Sequence, residues 1–256
     1  MIHQTAIIHP DAKIAEGVEI GPFSVIGEGV EIGAGTWIGP HVVITGLTRI
    51  GKDNRIYQFC SLGERPQDMK YAGEPTRLEI GDRNSIREYC NFNTGTAQDA
   101  GVTRIGNDNW IMASVHVGHD CVLGDRTILA NNVTLGGHVH VGDWVILGGM
   151  TAVHQFTRIG AHSMCGGGTI LVQDLPPFVM CNGSPAEVHG INSEGLRRRG
   201  YSSSAITAIK RAYKALYRKG QTLDEARQEI ATLAAEVPEL VQMVEFLATP
   251  GRGIVR

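Results

Sequence analysis

"HVGHDCVLGDRTILANNVTLGGHVHVGDWVILGG", residues 116–149, carries an apolar residue at every sixth position: Val117, Leu123, Leu129, Leu135, Val141 and Leu147. A helix repeats its apolar face at three and four residues, and a lone strand alternates every two. A period of six is neither. It fits a short strand followed by a turn, where Gly, Asn or Asp is expected because these tolerate left-handed dihedrals. Working outward, the same phase runs through Ile8, Ile14, Ile20, Ile26, Ile32, Ile38, Ile44, Ile50, Ile56 and Leu62. It resumes at Ile80, Ile86 and Phe92, and again from Ile105 to Leu171. The pattern predicts an all-β solenoid: a parallel β-helix of hexapeptide repeats, whose short strands stack into flat faces. If three strands close one coil, residues eighteen apart lie one above the other.

Two stretches break the phase, "GERPQDMKYAGEPTRLE" at residues 63–79 and "AQDAGVTR" at 97–104. Insertions leave a solenoid as loops on one face, often the binding face. The repeat is expected to stop at "LVQDLPPF", where Pro176 and Pro177 end strand pairing. From about residue 190 the spacing turns helical, with Ile206, Ile209, Tyr213 and Leu216 on one face. Thr222-x-x-Glu225 reads as a capping box and Pro238 as a first helical turn, so three helices are expected. The expected organisation is a β-helix over residues 1–189, with both insertions, and a small α-helical C-terminal domain over 190–256.

Composition limits the function. Of 256 residues, 42% are hydrophobic and 19% charged, a globular balance, and the formal net charge of -3 does not suggest a nucleic-acid binder. No run is apolar enough to span a membrane, and no basic segment followed by an apolar core opens the chain. The five cysteines form no C-x-x-C pair. These features lead us to expect a cytoplasmic protein.

The repeat also sorts side chains. Residues two before each apolar position are small and predicted to point inward: Ser24, Thr36 and Val42 are examples. Cys60, Cys90 and Cys121 share this phase, which favours a buried core thiol over a nucleophile at Cys121. The histidines do not share it. Counting in eighteens, and across the second insertion, places Asn93, His116, His119, His138 and His154 in one polar column beside the two loops. Gly137 falls beside His119. Neighbouring side chains on a strand point opposite ways, so a contact between His119 and Asp120 requires a turn between them.

"YQFCSLG", "PQDMKYAGEPTRLEIGDRNSIRE", "VHVGHDCVLGD", "LGGMTAVHQF", "INSEGLRRRGY" and "RGIVR" together resemble the UDP-N-acetylglucosamine O-acyltransferases of lipid A biosynthesis. The likeness spans the whole chain. It implies a left-handed β-helix, an exception to the right-handed crossover rule, and a homotrimer with active sites between neighbouring subunits. The reaction it implies moves a 3-hydroxyacyl group from acyl carrier protein to the 3-hydroxyl of UDP-N-acetylglucosamine. No metal or organic cofactor is implied, because the thioester is already activated.

The resemblance implies His119 as general base, Asp120 as the residue that orients it, and Gly137 as backbone donor to the thioester oxyanion. It implies sugar-nucleotide contacts from Gln67, Asp68, Lys70, His116, His138, His154, Gln155, Asn192, Glu194, Arg198 and Arg199. "NFNTGT" stands where many members carry "IHRGT", so Asn93 and Thr94 replace a histidine and an arginine; Asn93 retains a hydrogen-bonding group for the substrate. Gly167, in "MCGGGT", matches the position that measures the acyl chain. A hydrogen there implies a chain of about twelve to fourteen carbons, selected at roughly 0.8 kcal/mol per buried methylene.

Between Gly195 and Leu223 there are eight Lys or Arg residues and no acid. Arg197, Lys210, Arg211 and Lys214 are the expected docking face for an acidic acyl carrier protein. Two other enzymes fit parts of the pattern. One is a zinc enzyme resembling the trimeric β-helix carbonic anhydrases, with His116, His119 and His138 as ligands. The other is a hexapeptide acyltransferase with a different sugar-nucleotide or amine acceptor.

Overall fold

The computed structural model describes residues 1–256. Strands of mostly two residues stack in parallel into three sheets of nine, eight and ten strands. Ile8 pairs with Ile26 and Val25 with Val43, the eighteen-residue coil that the repeat predicts. Across the insertions Ile50 pairs with Ile80 and Asn91 with His116. The first loop makes a coil of 30 residues and keeps the phase of six; the second makes a coil of 25 and moves the phase by one residue, while the pairing of inward positions continues. The molecule is a parallel β-helix with helices after it.

The repeat positions fill the prism. Ile20, Ile26, Ile38, Ile44, Leu62, Ile86, Phe92, Leu129 and Leu147 are each at most 2% exposed. Each such side chain contributes about 1.5–3 kcal/mol of burial. The small inward residues satisfy backbone carbonyls: Ser24 Oγ donates to Gly39 O at 2.8 Å, Thr36 Oγ1 to Gly51 O at 2.9 Å and Cys121 Sγ to Gly136 O at 3.1 Å. All five cysteines are buried and unpaired. Burial pushes the Cys121 thiol up to about 12, so it is core and no nucleophile.

The corners follow expectation in part. Gly17, Gly29, Asp53, Asp108 and Asn132 take left-handed φ as expected, but Phe23, Phe59, Trp144, Phe156 and Phe178 do so too. Stacking along each corner offsets the backbone cost. The His138 and Phe156 rings lie 4.3 Å apart, and Phe23, His41, Phe59 and Tyr89 form a continuous stack. The two prolines do not end the solenoid either. Val179–Asn182 pairs in parallel with Met164–Cys165, and Glu187–Ile191 then closes that edge antiparallel. Pro176 and Pro177 occupy the corner before the strand, where no ladder donor is lost.

Four α-helices follow: α1 (Ser193–Arg198), α2 (Ser203–Tyr217), α3 (Leu223–Ala234) and α4 (Val241–Ala248). Ser202 caps α2 and the Thr222–Glu225 box caps α3. The short α1 was not expected; its six residues are too few to show a period. Arg158 ties the tail to the last coils, donating to Asp174 Oδ2 at 2.7 Å and to Thr249 O at 2.9 Å. No helix is long and apolar enough to cross a membrane.

Candidate active site

One corner of the prism concentrates the chemistry. His119 lies in the turn that follows the strand His116–Val117, and Asp120 takes the left-handed position of that turn with φ 58°. That turn folds the Asp120 carboxylate back onto its neighbour, so His119 Nδ1 lies 2.8 Å from Asp120 Oδ2. Thr96, the residue before the second insertion, donates to the same carboxylate from its backbone N–H at 2.9 and 3.0 Å and from Oγ1 at 2.7 Å. Burial alone would raise the Asp120 carboxyl. The hydrogen bonds from His119 and Thr96 outweigh it and hold the group below the ordinary carboxylate range. An ionised Asp120 accepts the Nδ1 proton of His119, leaving the Nε2 lone pair directed into the cleft.

Gly137 lies one coil above. A Cβ there would stand 2.6 Å from both Cε1 and Nε2 of His119. The Gly137 N–H donates no hydrogen bond within the subunit, whereas the adjacent Gly136 N–H is bound to Val153 O at 3.0 Å. A glycine whose N–H is free thus stands beside the imidazole.

His138 completes the cluster. Its ring meets His119 edge-on with centroids 4.9 Å apart, and its Nδ1 lies 2.7 Å from Asp99 Oδ2. These residues open onto a cavity of about 590 Å³ lined by Gln67, Asp68, Met69, Lys70, Thr96, Gln98, Asp99, His119, His138, Gln155 and Phe156. Grooves of about 460 and 420 Å³ over the eight-stranded sheet are lined instead by residues such as Arg49, Glu79 and Arg104, two of which pair with each other. Lys70 forms no ion pair, so its charge is available to a ligand. His116 stands one strand away with Nδ1 2.9 Å from Asn91 Oδ1; burial, then the neighbouring His119, pushes it below the usual histidine value. His154 is exposed on the next coil. His119, Asp120 and His138 bring ligand atoms within 4.8 Å of one another. Both Asp120 oxygens are already taken by Thr96 and His119, and His116 is held by Asn91, so this is a hydrogen-bonded network more than a free ligand set.

Asn93 does not reach this cavity. It is 1% exposed, and its Nδ2 donates to Arg65 O at 3.0 Å and Glu64 O at 3.4 Å. The cause is a register shift between Leu62 and Glu64, which pairs Asn93 with Glu64 and turns it under the first insertion. Thr94 accepts from Thr76 Oγ1 at 3.0 Å, at the other end of that loop.

A second group sits at another corner, beyond the eight-stranded sheet. Asn192 is 4% exposed and caps α1, accepting from Gly195 N–H, while its Nδ2 donates to His162 O. Arg199 donates to His162 Nδ1 at 3.2 Å and Trp144 O at 3.0 Å, and its guanidinium lies 5.0 Å from the Trp144 ring centre. Glu194 pairs with Arg197 and Arg198. Within one subunit these residues do not meet His119. Lys210, Arg211 and Lys214 lie exposed along α2, and Arg197 is exposed on α1. Gly167 is open: a Cβ there would meet the Gly149 backbone alone, O at 3.4 Å and N at 4.0 Å, and the left-handed turn is taken by Gly168. Sequence reasoning missed Thr96, Gln98, Asp99 and Phe156. Their signal was position: all but Phe156 lie in or beside the second insertion.

The chain is also similar to known proteins over its whole length. A family model described as "Udp N-acetylglucosamine O-acyltransferase; Domain 2" matches residues 174–255, and the bacterial transferase hexapeptide model matches residues 1–34 and 103–137. The chain is 62% identical over 255 residues to an acyl-[acyl-carrier-protein]–UDP-N-acetylglucosamine O-acyltransferase of Thiobacillus denitrificans, covering 100% of this chain and 99% of the relative. The crystal structure of a UDP-N-acetylglucosamine O-acyltransferase from Moraxella catarrhalis superposes with a TM-score of 0.98 at 48% identity, covering 100% of this chain and 99% of that one. The Arabidopsis UDP-N-acetylglucosamine acyltransferase does so with a TM-score of 0.84 at 33% identity, covering 100% of both chains.

Proposed function

The chain belongs to the family of acyl-[acyl-carrier-protein]–UDP-N-acetylglucosamine O-acyltransferases, and we propose that it works through the His119–Asp120 pair. It is an acyltransferase that moves an acyl group from acyl carrier protein to UDP-N-acetylglucosamine in lipid A synthesis. The observation that supports the mechanistic reading is the pair of half-buried His119 and buried Asp120, with Gly137, whose N–H is unbonded, beside the imidazole.

In this reading Nε2 of His119 takes the proton of the sugar 3-hydroxyl as its oxygen attacks the thioester carbonyl carbon. The carbonyl electrons move onto oxygen, which the Gly137 N–H stabilises. The C–S bond then breaks, and His119 returns the proton to the departing pantetheine sulfur. Such general-base help is worth about 10²–10⁴-fold. Gln67, Asp68, Lys70, His138 and Gln155 line the cavity that receives the sugar nucleotide.

The left-handed coil, the division into residues 1–189 and 190–256, and a homotrimer belong to the same reading. A trimer with sites between subunits would bring Asn192, Glu194, Arg198 and Arg199 of one subunit to the His119 corner of the next, which accounts for their separation within one chain. The exposed α2 cations serve as the face for an acidic carrier protein, and the reaction is cytoplasmic. Mass spectrometry of UDP-N-acetylglucosamine incubated with 3-hydroxyacyl carrier protein tests the chemistry, and light scattering tests the assembly. Product lacking the acyl mass, or a monomer at working concentration, would contradict the corresponding part.

A further inference from the structure

The stretch Asn93-Thr94-Gly95-Thr96 joins both insertions to the catalytic corner. Its last residue stands closest to the chemistry. Thr96 is 1% exposed and supplies three contacts to the Asp120 carboxylate, two from its backbone N–H and one from Oγ1. The Asp120 N–H is itself held by Thr103 Oγ1 at 2.8 Å. Gly95 makes the approach feasible: a Cβ there would lie 2.7 Å from Asp120 Oδ1 and would also strike Val102 N. The loop backbone is therefore laid directly against the carboxylate, and the hydroxyl of Thr96 shares Oδ2 with the imidazole of His119.

We propose that Thr96 is a positioning residue: its hydroxyl fixes Asp120 and, through it, the orientation and basicity of His119. A carboxylate held on one side by backbone and hydroxyl donors has one oxygen edge left for the imidazole, and the ring cannot turn without losing that bond. The hydroxyl also draws charge from the oxygen that faces His119. Removing it leaves the charge more concentrated on the shared oxygen, which strengthens its hold on a protonated ring. The charged and titratable groups around the ring are Asp120, His116 and His138, with Asp99 behind His138 and Asp68 and Lys70 across the cavity. Of these, only Asp120 loses a hydrogen bond when the residue 96 hydroxyl is removed.

This inference rests on the reading of His119 as the base, and the experiment separates the two. Thr96→Val, Thr96→Ala and Thr96→Ser are compared with His119→Ala by steady-state acylation across pH, with thermal melting as the check on folding. Valine keeps the branched shape and the backbone N–H but lacks the hydroxyl. Thr96→Val is expected to lower kcat about tenfold, leave KM for UDP-N-acetylglucosamine within about twofold, and move the acid limb of the kcat profile up by about half a pH unit. Serine restores both values. If valine does not fold, the alanine and serine variants carry the same contrast. An unmoved acid limb in the valine and alanine variants, or equal losses in alanine and serine, overturns the proposal. Activity surviving in His119→Ala overturns the reading of the base instead, whatever residue 96 does.

Discussion

Gly137→Ala adds one methyl group and keeps the backbone N–H, so it tests the placement of His119 separately from the oxyanion donor. The new Cβ would lie 2.6 Å from Cε1 and Nε2 and 3.1 Å from Nδ1 of the His119 ring. Ordinary contact begins at 3.4 Å, so the ring must retreat by about 0.8 Å. It cannot move freely, since Nδ1 is held by Asp120 at 2.8 Å and the His138 ring stands 4.9 Å away. The methyl therefore tilts the face that must reach the 3-hydroxyl. A misplacement of about 1 Å at a reacting group costs on the order of 10²-fold, or roughly 2.7 kcal/mol of barrier. We expect kcat for acyl transfer to fall 10- to about 100-fold with a melting temperature close to the parent's. The assay is steady-state formation of acylated sugar nucleotide, with calorimetry on the same preparation. A variant that keeps more than about a third of parent kcat would refute the argument that the free space at residue 137 is required by the imidazole.

Gly167→Met meets no obstacle within the subunit, so it should fold normally and shift preference toward shorter acyl donors; unchanged preference across donors of stepped length would make Gly167 a turn residue only. Reversing Lys210, Arg211 and Lys214 to Glu should raise KM for the carrier protein and flatten its salt dependence while sparing the sugar nucleotide, and an unaltered salt series would argue against this face. His162 is held down to about 4, first by burial and then by Arg199. An unfolded histidine titrates near 6.5, so the unfolded chain binds the extra proton between these values and stability falls as pH drops from about 6.5 to 4, by about 2 kcal/mol. Urea midpoints at pH 7 and 4.5 should differ less for His162→Gln than for the parent, and equal differences would exclude this source.

The sequence made the coil legible because one physical constraint repeats along it. Every sixth residue must fill a narrow prism, so Ile8 to Leu171 carry the phase and the stacking distance of eighteen follows. The same count brought Gly137 to His119. It failed where the chain leaves the period. Thr96 meets Asp120 across 24 residues and Asp99 meets His138 across 39, separations set by loop shape and by no repeat. Asn93 was counted into the open column, but the bulge at Leu62–Glu64 turns it inward, and a one-residue slip in a strand reverses a side chain. The aromatic corners were hidden for another reason. Propensity disfavours Phe156 at left-handed φ, and only its ring stacked on His138 offsets that cost, a tertiary effect invisible to local reading.

The most direct test of the mechanism is turnover of His119→Ala with saturating UDP-N-acetylglucosamine and 3-hydroxyacyl carrier protein, followed by mass spectrometry of the product. A base worth about 10²–10⁴-fold predicts a loss of that size in a protein that melts like the parent. A variant retaining more than about a tenth of parent turnover would mean that another group takes the proton.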